Sequence, residues 1–309
     1  MSVLVHGLAV VLVTVLQALP LRGVARIGRC AGALAFWLDA RHRRVALRNL
    51  ARAFPERASA EVRALARENS RRIGEAYCCA IKTAAMSADT LRPHLEYVGV
   101  ERLYPQPLPD AAPPRIMAIG HFGNFELYAR FGQFMPGVRT ATTYRAQGIP
   151  ALDRLLQTLR ARSGCLYFER RTDAAALKAA MCQPGLILGL LADQHAGAGG
   201  VWIPFLGRDC STSVAPAVFA LRYHSPLFTA VCYRTALAQW SIEVGAEIPT
   251  REAGRPRPIE AIMCEVNRAF ETAIRRDPAN WFWVHDRWKD RKRGPRRPNQ
   301  PPATHADAA

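Results

Sequence analysis

The sequence lacks several features that would mark a specialised class of protein. None of its eight cysteines belongs to a C-x-x-C pair, which argues against a structural zinc site. Most of them sit singly in apolar surroundings, so we expect buried free thiols in a reducing compartment and no disulfide framework. The mean hydropathy is close to zero, which excludes a polytopic transporter. With 50% hydrophobic and 22% charged residues, the chain is also not disordered, collagen-like or of low complexity.

Acidic residues are scarce relative to basic ones. Lys and Arg total 42 against 25 Asp and Glu, which leaves a formal net charge of +17. Nine arginines face two acids between Arg22 and Arg57, and seven bases face one acid between Arg287 and Arg297. Two such blocks favour two basic surfaces flanking an ordinary globular body over a wholly basic nucleic-acid coat. Polyanionic or membrane-surface partners are therefore expected, and nucleic acid is not.

An uncharged and mostly apolar stretch occupies the N-terminus from Val3 to Leu21. As a continuous helix it would measure ~28 Å, about the thickness of a bilayer core. No basic residue precedes it, as a signal peptide would require, whereas arginines follow from Arg22 onwards. By the positive-inside bias, the rest of the chain is expected in the cytoplasm. We predict a membrane anchor helix over 1–21, either spanning the bilayer or lying in its interface, in preference to a buried core helix.

The remaining chain divides into three segments that differ in composition and in hydrophobic pattern. Helical apolar spacing over 61–82 and the prolines between 105 and 114 predict a basic helical region with a Pro-rich linker over 22–110. Strand and helix signals then alternate, which predicts an α/β domain over 111–290 with a mixed central sheet flanked by helices. The tail over 291–309 is predicted to be basic and disordered. Strands are predicted at 116–119, 186–191, 227–233 and 240–248, and helices at 125–134, 152–159, 174–182 and 259–274.

The segment from Gly120 to Glu126 is the strongest candidate for chemistry. His121 and Glu126 are five positions apart, which on one helix would turn their side chains ~140° from each other. They can meet only if a turn intervenes, and Gly120 and Gly123 are suited to form one. Asn124 is then expected as the N-cap of the following helix, and it is also a candidate substrate-binding residue. We predict an imidazole near a carboxylate, with His121 as a general base acting directly on a bound acceptor.

A second polar cluster follows the predicted strand 186–191. Asp193, Gln194 and His195 lie at its carboxyl end, where α/β sheets bind their ligands. Metal ligation by His121 and Glu126 together with Asp193 and His195 is conceivable, but the spacing does not require it, so no metal or cofactor is predicted. Several arginines between the two clusters suit phosphate recognition. They are Arg145, Arg162, Arg170 and Arg171. The aromatic stretch 201–207 suits an acyl chain or a membrane surface, although ordinary core is favoured for its aromatic residues.

These motifs occur in one order, and together they resemble a known family. The resemblance is to the bacterial lipid A biosynthesis acyltransferases, the lauroyl and myristoyl transferases within the H-x4-D/E acyltransferase group. It covers nearly the whole chain and rests on the N-terminal apolar segment and the stretches Gly120–Glu126, Tyr144-Arg145, Arg162–Gly164, Ala192–Gln194, Phe205–Gly207 and Trp281–Lys289.

The resemblance implies an O-acyltransferase at the cytoplasmic face of the bacterial inner membrane. Its donor would be an acyl-carrier-protein thioester, and its acceptor a hydroxyl of a phosphorylated glucosamine lipid. His121 would be the base and Glu126 its partner, while Asp193 and either Arg170 or Arg171 match further important positions. Three alternatives stay open: a lysophospholipid, glycolipid or aminolipid acceptor, a non-enzymatic basic protein that binds membrane or nucleic acid, and a metal-dependent hydrolase.

Overall fold

A computed structural model describes residues 2–104, 112–146 and 149–289 of the protein. The predicted linker residues 105–111 and the predicted tail 291–309 lie outside the described residues. The α-helices are α1 (Ser2–Ala18), α2 (Leu21–Leu38), α3 (Ala40–Ala53), α4 (Ser59–Ala84), α5 (Ala88–Leu91), α6 (Pro150–Ala161), α7 (Ala174–Ala180), α8 (Ala215–Arg222) and α9 (Ile259–Arg276). The strands are β1 (Leu95–Val98), β2 (Arg115–Ile119), β3 (Arg139–Tyr144), β4 (Leu166–Glu169), β5 (Leu186–Leu191), β6 (Val201–Phe205), β7 (Arg208–Thr212), β8 (Leu227–Ala236), β9 (Gln239–Val244), β10 (Arg251–Glu252) and β11 (Arg255–Pro256).

A seven-stranded sheet forms the centre of the molecule, in the order β1-β9-β8-β2-β5-β3-β4. Its strands pair in parallel except for β8 and β9, which are antiparallel neighbours in a hairpin-like pair. The predicted mixed sheet flanked by helices is therefore confirmed. Two small antiparallel hairpins, β6-β7 and β10-β11, lie outside it.

Apolar residues cover both faces of this sheet, which explains the continuous hydrophobic runs of its central strands. Along β2, Ile116 and Ala118 enter one core, which also contains α9 and the C-terminal tryptophans. Met117 and Ile119 enter the other core, which contains residues of α1, α2 and α4. The strand β1 precedes the domain boundary predicted at 111 and pairs with β9, so the sheet takes strands from both sides of that boundary.

The N-terminal apolar stretch is broken near its end, where the sequence predicted one continuous helix. α1 ends at Ala18, and α2 begins at Leu21 directly after Pro20, which lacks the N–H that a continuing helix needs. The single helix expected over Val3–Leu21 is thus interrupted near its end. Within the described residues, no helix combines the length and the apolar character needed to cross a membrane.

The predicted elements of the sheet region are mostly present, with two kinds of difference. The segment after the glycine turn is a 3-10 helix, Phe125–Gln133, where an ordinary helix was predicted. The strands β1, β3 and β4 were not predicted, because they are short and carry many polar or half-buried residues. The aromatic stretch 201–207 forms β6 and its turn, and Phe205 is fully buried, as the core interpretation expected.

Candidate active site

The centre of the candidate site is a histidine and an aspartate from two neighbouring parallel strands. Ile119 of β2 pairs with Leu191 of β5, and each strand ends there. His121 and Asp193 each follow two residues later, so the parallel register places them side by side at the carboxyl edge of the sheet. The ring Nδ1 of His121 lies 2.9 Å from Asp193 Oδ1.

Asp193 is completely buried, and three N–H groups surround its carboxylate. Oδ2 accepts from the backbone N–H of His121 at 2.9 Å and from the indole N–H of Trp281 at 2.9 Å. Burial alone would raise the pKa of this carboxyl, but the charge and hydrogen bonds of His121 and the Trp281 indole together hold the pKa below its ordinary value. Asp193 is therefore a carboxylate at neutral pH.

This charge state determines which ring nitrogen of His121 carries the proton. A carboxylate only accepts hydrogen bonds, so Nδ1 donates to Asp193 and Nε2 of the neutral ring is left unprotonated. Nε2 faces the side-chain amide of Gln194 at 3.5 Å. Phe125 and Phe282 pack against the ring, with centroids 4.8 Å and 5.7 Å away. Within the described residues, no serine, threonine or cysteine hydrogen-bonds the ring.

Glu126 has a different partner from the one that the sequence predicted. Its carboxylate accepts two hydrogen bonds from the guanidinium of Arg160, at 2.7 Å and 3.3 Å. The pairing of Glu126 with His121 is thus corrected: Asp193 holds the ring, and Glu126 holds an arginine of α6. The 3-10 helix places Glu126 on the wall of the same cavity as His121, so both groups stay within one site.

The turn between His121 and Glu126 depends on glycine, as predicted. Gly123 has a φ of 49°, and a Cβ at this position would lie 2.6 Å from the carbonyl oxygen of Cys232. Asn124 is the residue at the N-cap of the 3-10 helix, but its side chain makes no capping hydrogen bond. It is 1% exposed and donates to Thr83 Oγ1 at 3.4 Å, outside the cavity. Its predicted part in substrate binding has no support from this position.

A cavity of about 860 Å³ opens beside the histidine. That volume lies within the range of pockets that bind small molecules and cofactors. One part is apolar and extends under the sheet, and it is lined by Met117, Ile119, Phe131, Ile187, Ile242 and Val244. Since lining residues on β5 extend from Ile187 to Leu191, this part runs ~13 Å along the strand. The other part is polar and is lined by His121, Glu126, Arg145, Arg160, Arg170 and Gln194.

The arginines predicted to bind phosphate occupy different positions in the structure, and only some of them line the cavity. Arg145 and Arg170 line the cavity, and the Nε of Arg170 donates to Thr143 Oγ1 at 3.3 Å. Arg171 is exposed and does not line it, and Arg160 occupies a position that the sequence did not single out. The cavity also contains the thiol of Cys165, but burial raises the pKa of that thiol to about 12. Cys165 is therefore an unreactive thiol at neutral pH.

The C-terminal segment Trp281–Lys289 closes the back of the site. His285 Nε2 accepts from the backbone N–H of His195 at 3.1 Å. Burial, with the positive charge of Lys289, lowers the pKa of His285 to about 4, so this ring is neutral. Among the described residues, no group of three or more His, Cys, Asp or Glu side chains is placed to hold a metal ion.

The fold and the His121–Asp193 pair define an α/β protein with a histidine–carboxylate pair beside a largely apolar cavity. The chain belongs to the family described as bacterial lipid A biosynthesis acyltransferase, which it matches over residues 2–290. Membership implies an acyltransferase that acts on a lipid acceptor. Among curated proteins, none matches the chain.

Proposed function

We propose that this protein transfers a fatty acyl group from an acyl-carrier-protein thioester to a hydroxyl of a phosphorylated glucosamine lipid, with His121 as the general base. The observation that carries the proposal is the contact between His121 Nδ1 and the buried Asp193 carboxylate beside an apolar cavity, which leaves Nε2 of the neutral ring to accept a proton. An imidazole in this state can take a proton from an alcohol at neutral pH.

The reaction has two steps: attack of the acceptor hydroxyl on the thioester carbonyl, and breakdown of the tetrahedral intermediate that results. As the acceptor oxygen bonds to the thioester carbonyl carbon, its proton moves to His121 Nε2, and Asp193 stabilises the imidazolium that forms. The carbon–sulfur bond then breaks, and the departing thiolate takes the proton from His121 Nε2, which returns the ring to its neutral form. No metal or cofactor is required, because the thioester is already activated. Arg160 lines the cavity and is held by Glu126, so it is the candidate to stabilise the oxyanion of the tetrahedral intermediate.

Two features of the cavity support the assignment of donor and acceptor. Its apolar part suits a fatty acyl chain, because burial of each methylene contributes about 0.8 kcal/mol. Arg145 and Arg170 at its polar part suit a phosphate of the acceptor, since guanidinium groups bind phosphate oxygens in pairs. Acyl carrier proteins are acidic, so the net charge of +17 favours their approach.

Membrane attachment is part of the same proposal, at the cytoplasmic face of the inner membrane. Large apolar side chains are exposed on α1 and α2: Leu8, Val11, Leu12, Val15, Ile27, Leu34, Trp37 and Leu38. Arginines on α2 and α3 are exposed as well: Arg22, Arg26, Arg41 and Arg44. Such a surface suits an anionic bilayer, with the apolar side chains in the interface and the arginines on headgroups. Trp37→Asp should weaken co-sedimentation with anionic vesicles, whereas Val98→Asp, at an exposed position on β1, should not.

The decisive experiment incubates purified protein with acyl-loaded carrier protein and a phosphorylated glucosamine lipid, and follows the product by mass spectrometry. We expect one added acyl ester with the wild type and none with His121→Ala. Transfer only to a lysophospholipid, glycolipid or aminolipid would change the proposed acceptor but leave the proposed acyl-transfer reaction intact. Normal transfer by the His121→Ala variant would overturn the assignment of His121 as the general base. No transfer to any acceptor, together with tight salt-dependent DNA binding, would favour a non-enzymatic basic protein.

A further inference from the structure

The carboxylate of Asp193 has a geometric requirement that the His121 ring alone does not meet. The carboxylate must stay in the plane in which one of its oxygens meets the ring Nδ1, and rotation about the terminal bond out of that plane would break the contact. Two N–H donors on Oδ2 prevent that rotation: the backbone N–H of His121 and the indole N–H of Trp281, each at 2.9 Å. A buried carboxylate also depends on such donors for its charge.

The backbone on both sides of the Trp281 indole is held by three parts of the fold. Asn69 of α4 is 1% exposed and donates to the carbonyl oxygens of Trp281, at 2.5 Å, and Ala279, at 2.9 Å. Trp281 forms an antiparallel bridge with Phe122, the residue next to His121. Asn280 donates to the carbonyl of Cys232 in β8 at 2.9 Å. The indole therefore cannot shift without disturbing the helix, the glycine turn or the sheet.

Aromatic packing fixes the plane of the indole. The ring centroids of Phe205, Trp283 and Trp288 lie 5.5 Å, 4.7 Å and 6.2 Å from that of Trp281, and Trp281 itself is 1% exposed. Of these tryptophans, Trp283 and Trp288 donate to backbone carbonyls, of Pro278 and Phe205 respectively. Of these three described indoles, Trp281 is the one that donates to a side chain of the candidate site. This difference between neighbouring indoles is not explained by packing alone.

We infer that Trp281 is a positioning residue for the acyl transfer, which acts through Asp193 to set the orientation and proton affinity of His121. The inference rests on the proposed function, because it assigns a role in that reaction. Trp281 does not line the cavity, so its effect on the reaction is exerted through the Asp193 carboxylate.

Trp281→Phe tests this, because it removes the N–H and keeps an aromatic ring. Loss of a donor raises the proton affinity of the Asp193 carboxylate, so the His-Asp pair takes up its first proton at a higher pH. We expect kcat to fall about tenfold with little change in KM, since a hydrogen bond to a charged group is worth roughly a factor of ten or more. The acid limb of the pH profile of kcat/KM should move up by about one unit. Other titratable or charged groups around the pair are Tyr128, His285, Arg287 and the Glu126–Arg160 pair, and all remain in the variant.

Trp283→Phe is the matched control. It removes a buried indole N–H from the same segment, but the acceptor is the backbone carbonyl of Pro278. We expect a comparable loss of stability and an unchanged acid limb. Equal pH profiles for wild type, Trp281→Phe and Trp283→Phe would overturn the inference, because a purely structural tryptophan predicts that result.

A nuclear magnetic resonance titration separates this inference from the proposed function and needs no variant. In the wild-type protein, one of the six tryptophan indole N–H resonances should titrate in step with the imidazole of His121. If none does, the inference fails even where the enzyme is fully active. If one does but the protein transfers no acyl group to any acceptor, the positioning contact stands and the proposed reaction fails.

Discussion

Replacing Asp193 with asparagine tests the catalytic pair most sharply, because the structure fixes how the new side chain must lie. Two N–H donors, from the His121 backbone and the Trp281 indole, converge on Oδ2. The amide oxygen of asparagine must take that place, which leaves its NH2 group facing Nδ1 of the ring. A donor facing Nδ1 forces that nitrogen to accept, so the proton moves to Nε2 and the base is lost.

The expected loss is large, while the fold is kept. The same substitution in a serine protease triad lowers kcat about 10⁴-fold through the wrong tautomer, and we expect ~10³ to 10⁴ here. Acyl transfer under saturating donor and acceptor measures it, with circular dichroism as the control for folding. Activity within about threefold of the wild type would refute the pairing of His121 with Asp193, since a tautomer change cannot be that small in effect.

Glu126→Gln serves as the matched comparison within the same site. It removes the charge that holds Arg160 and leaves the hydrogen bond between His121 and Asp193 intact. We expect a lower rate with an unchanged acid limb in the pH profile. An acid limb that moves with Glu126→Gln and stays with Asp193→Asn would instead restore Glu126 as the partner of the base.

Asp193→Asn also changes the dependence of stability on pH in a predictable direction. The folded protein holds the pKa of Asp193 below its ordinary value of 3.8. Such a group contributes stability above its unfolded pKa, and this contribution is lost as the pH falls through the folded pKa. The free energy of unfolding of the wild type should therefore decline more steeply below about pH 4 than that of Asp193→Asn. Urea titrations at several pH values measure the difference, and parallel curves would contradict the depressed pKa.

Three further outcomes follow from the cavity and the helix packing. Gly189 lines the cavity and a Cβ there would lie 3.2 Å from the Cδ1 of Ile119, so Gly189→Val should shift the preference towards shorter acyl chains, measured with a donor series. Arg170→Ala should raise KM for a phosphorylated acceptor about tenfold, whereas Arg171→Ala, outside the cavity, should leave it unchanged. Glu75 is 1% exposed between two arginines, so Glu75→Gln should lower the free energy of unfolding by about 3 kcal/mol in urea titrations; a loss under about 1 kcal/mol would contradict this.

The parts of the fold that the sequence predicted are those where one physical effect dominates. β2 and β5 are short apolar runs followed by glycine or polar residues, and burial on both faces of the sheet leaves little alternative for them. α4 and α9 show one apolar face at helical spacing over many turns. The short strands β3 and β4 carry no such signal, because most of their threonines and tyrosines are half buried beside the cavity.

At the candidate site, sequence proximity favoured the wrong carboxylate. Glu126 is five positions from His121, and the glycine turn made a contact between them plausible. The actual partner, Asp193, lies 72 positions away, and it was placed at the end of its strand but not beside the histidine. That neighbourhood depends on strand order, because β5 is inserted between β2 and β3, which follow each other along the chain. No local pattern encodes such an insertion, which requires the paired register of the whole sheet.

Trp281, the third residue of this hydrogen-bond network, was even harder to identify from the sequence. Trp281 lies 88 positions from Asp193, and in the sequence it is one of three tryptophans within eight residues. All three are buried, so hydrophobicity gives each the same expected role in the core. What distinguishes Trp281 is the acceptor of its indole N–H, and that acceptor depends on α4, the glycine turn and β8 meeting at one point. The chemistry of the site is thus set by contacts between distant segments, although each segment was visible in the sequence as a separate motif.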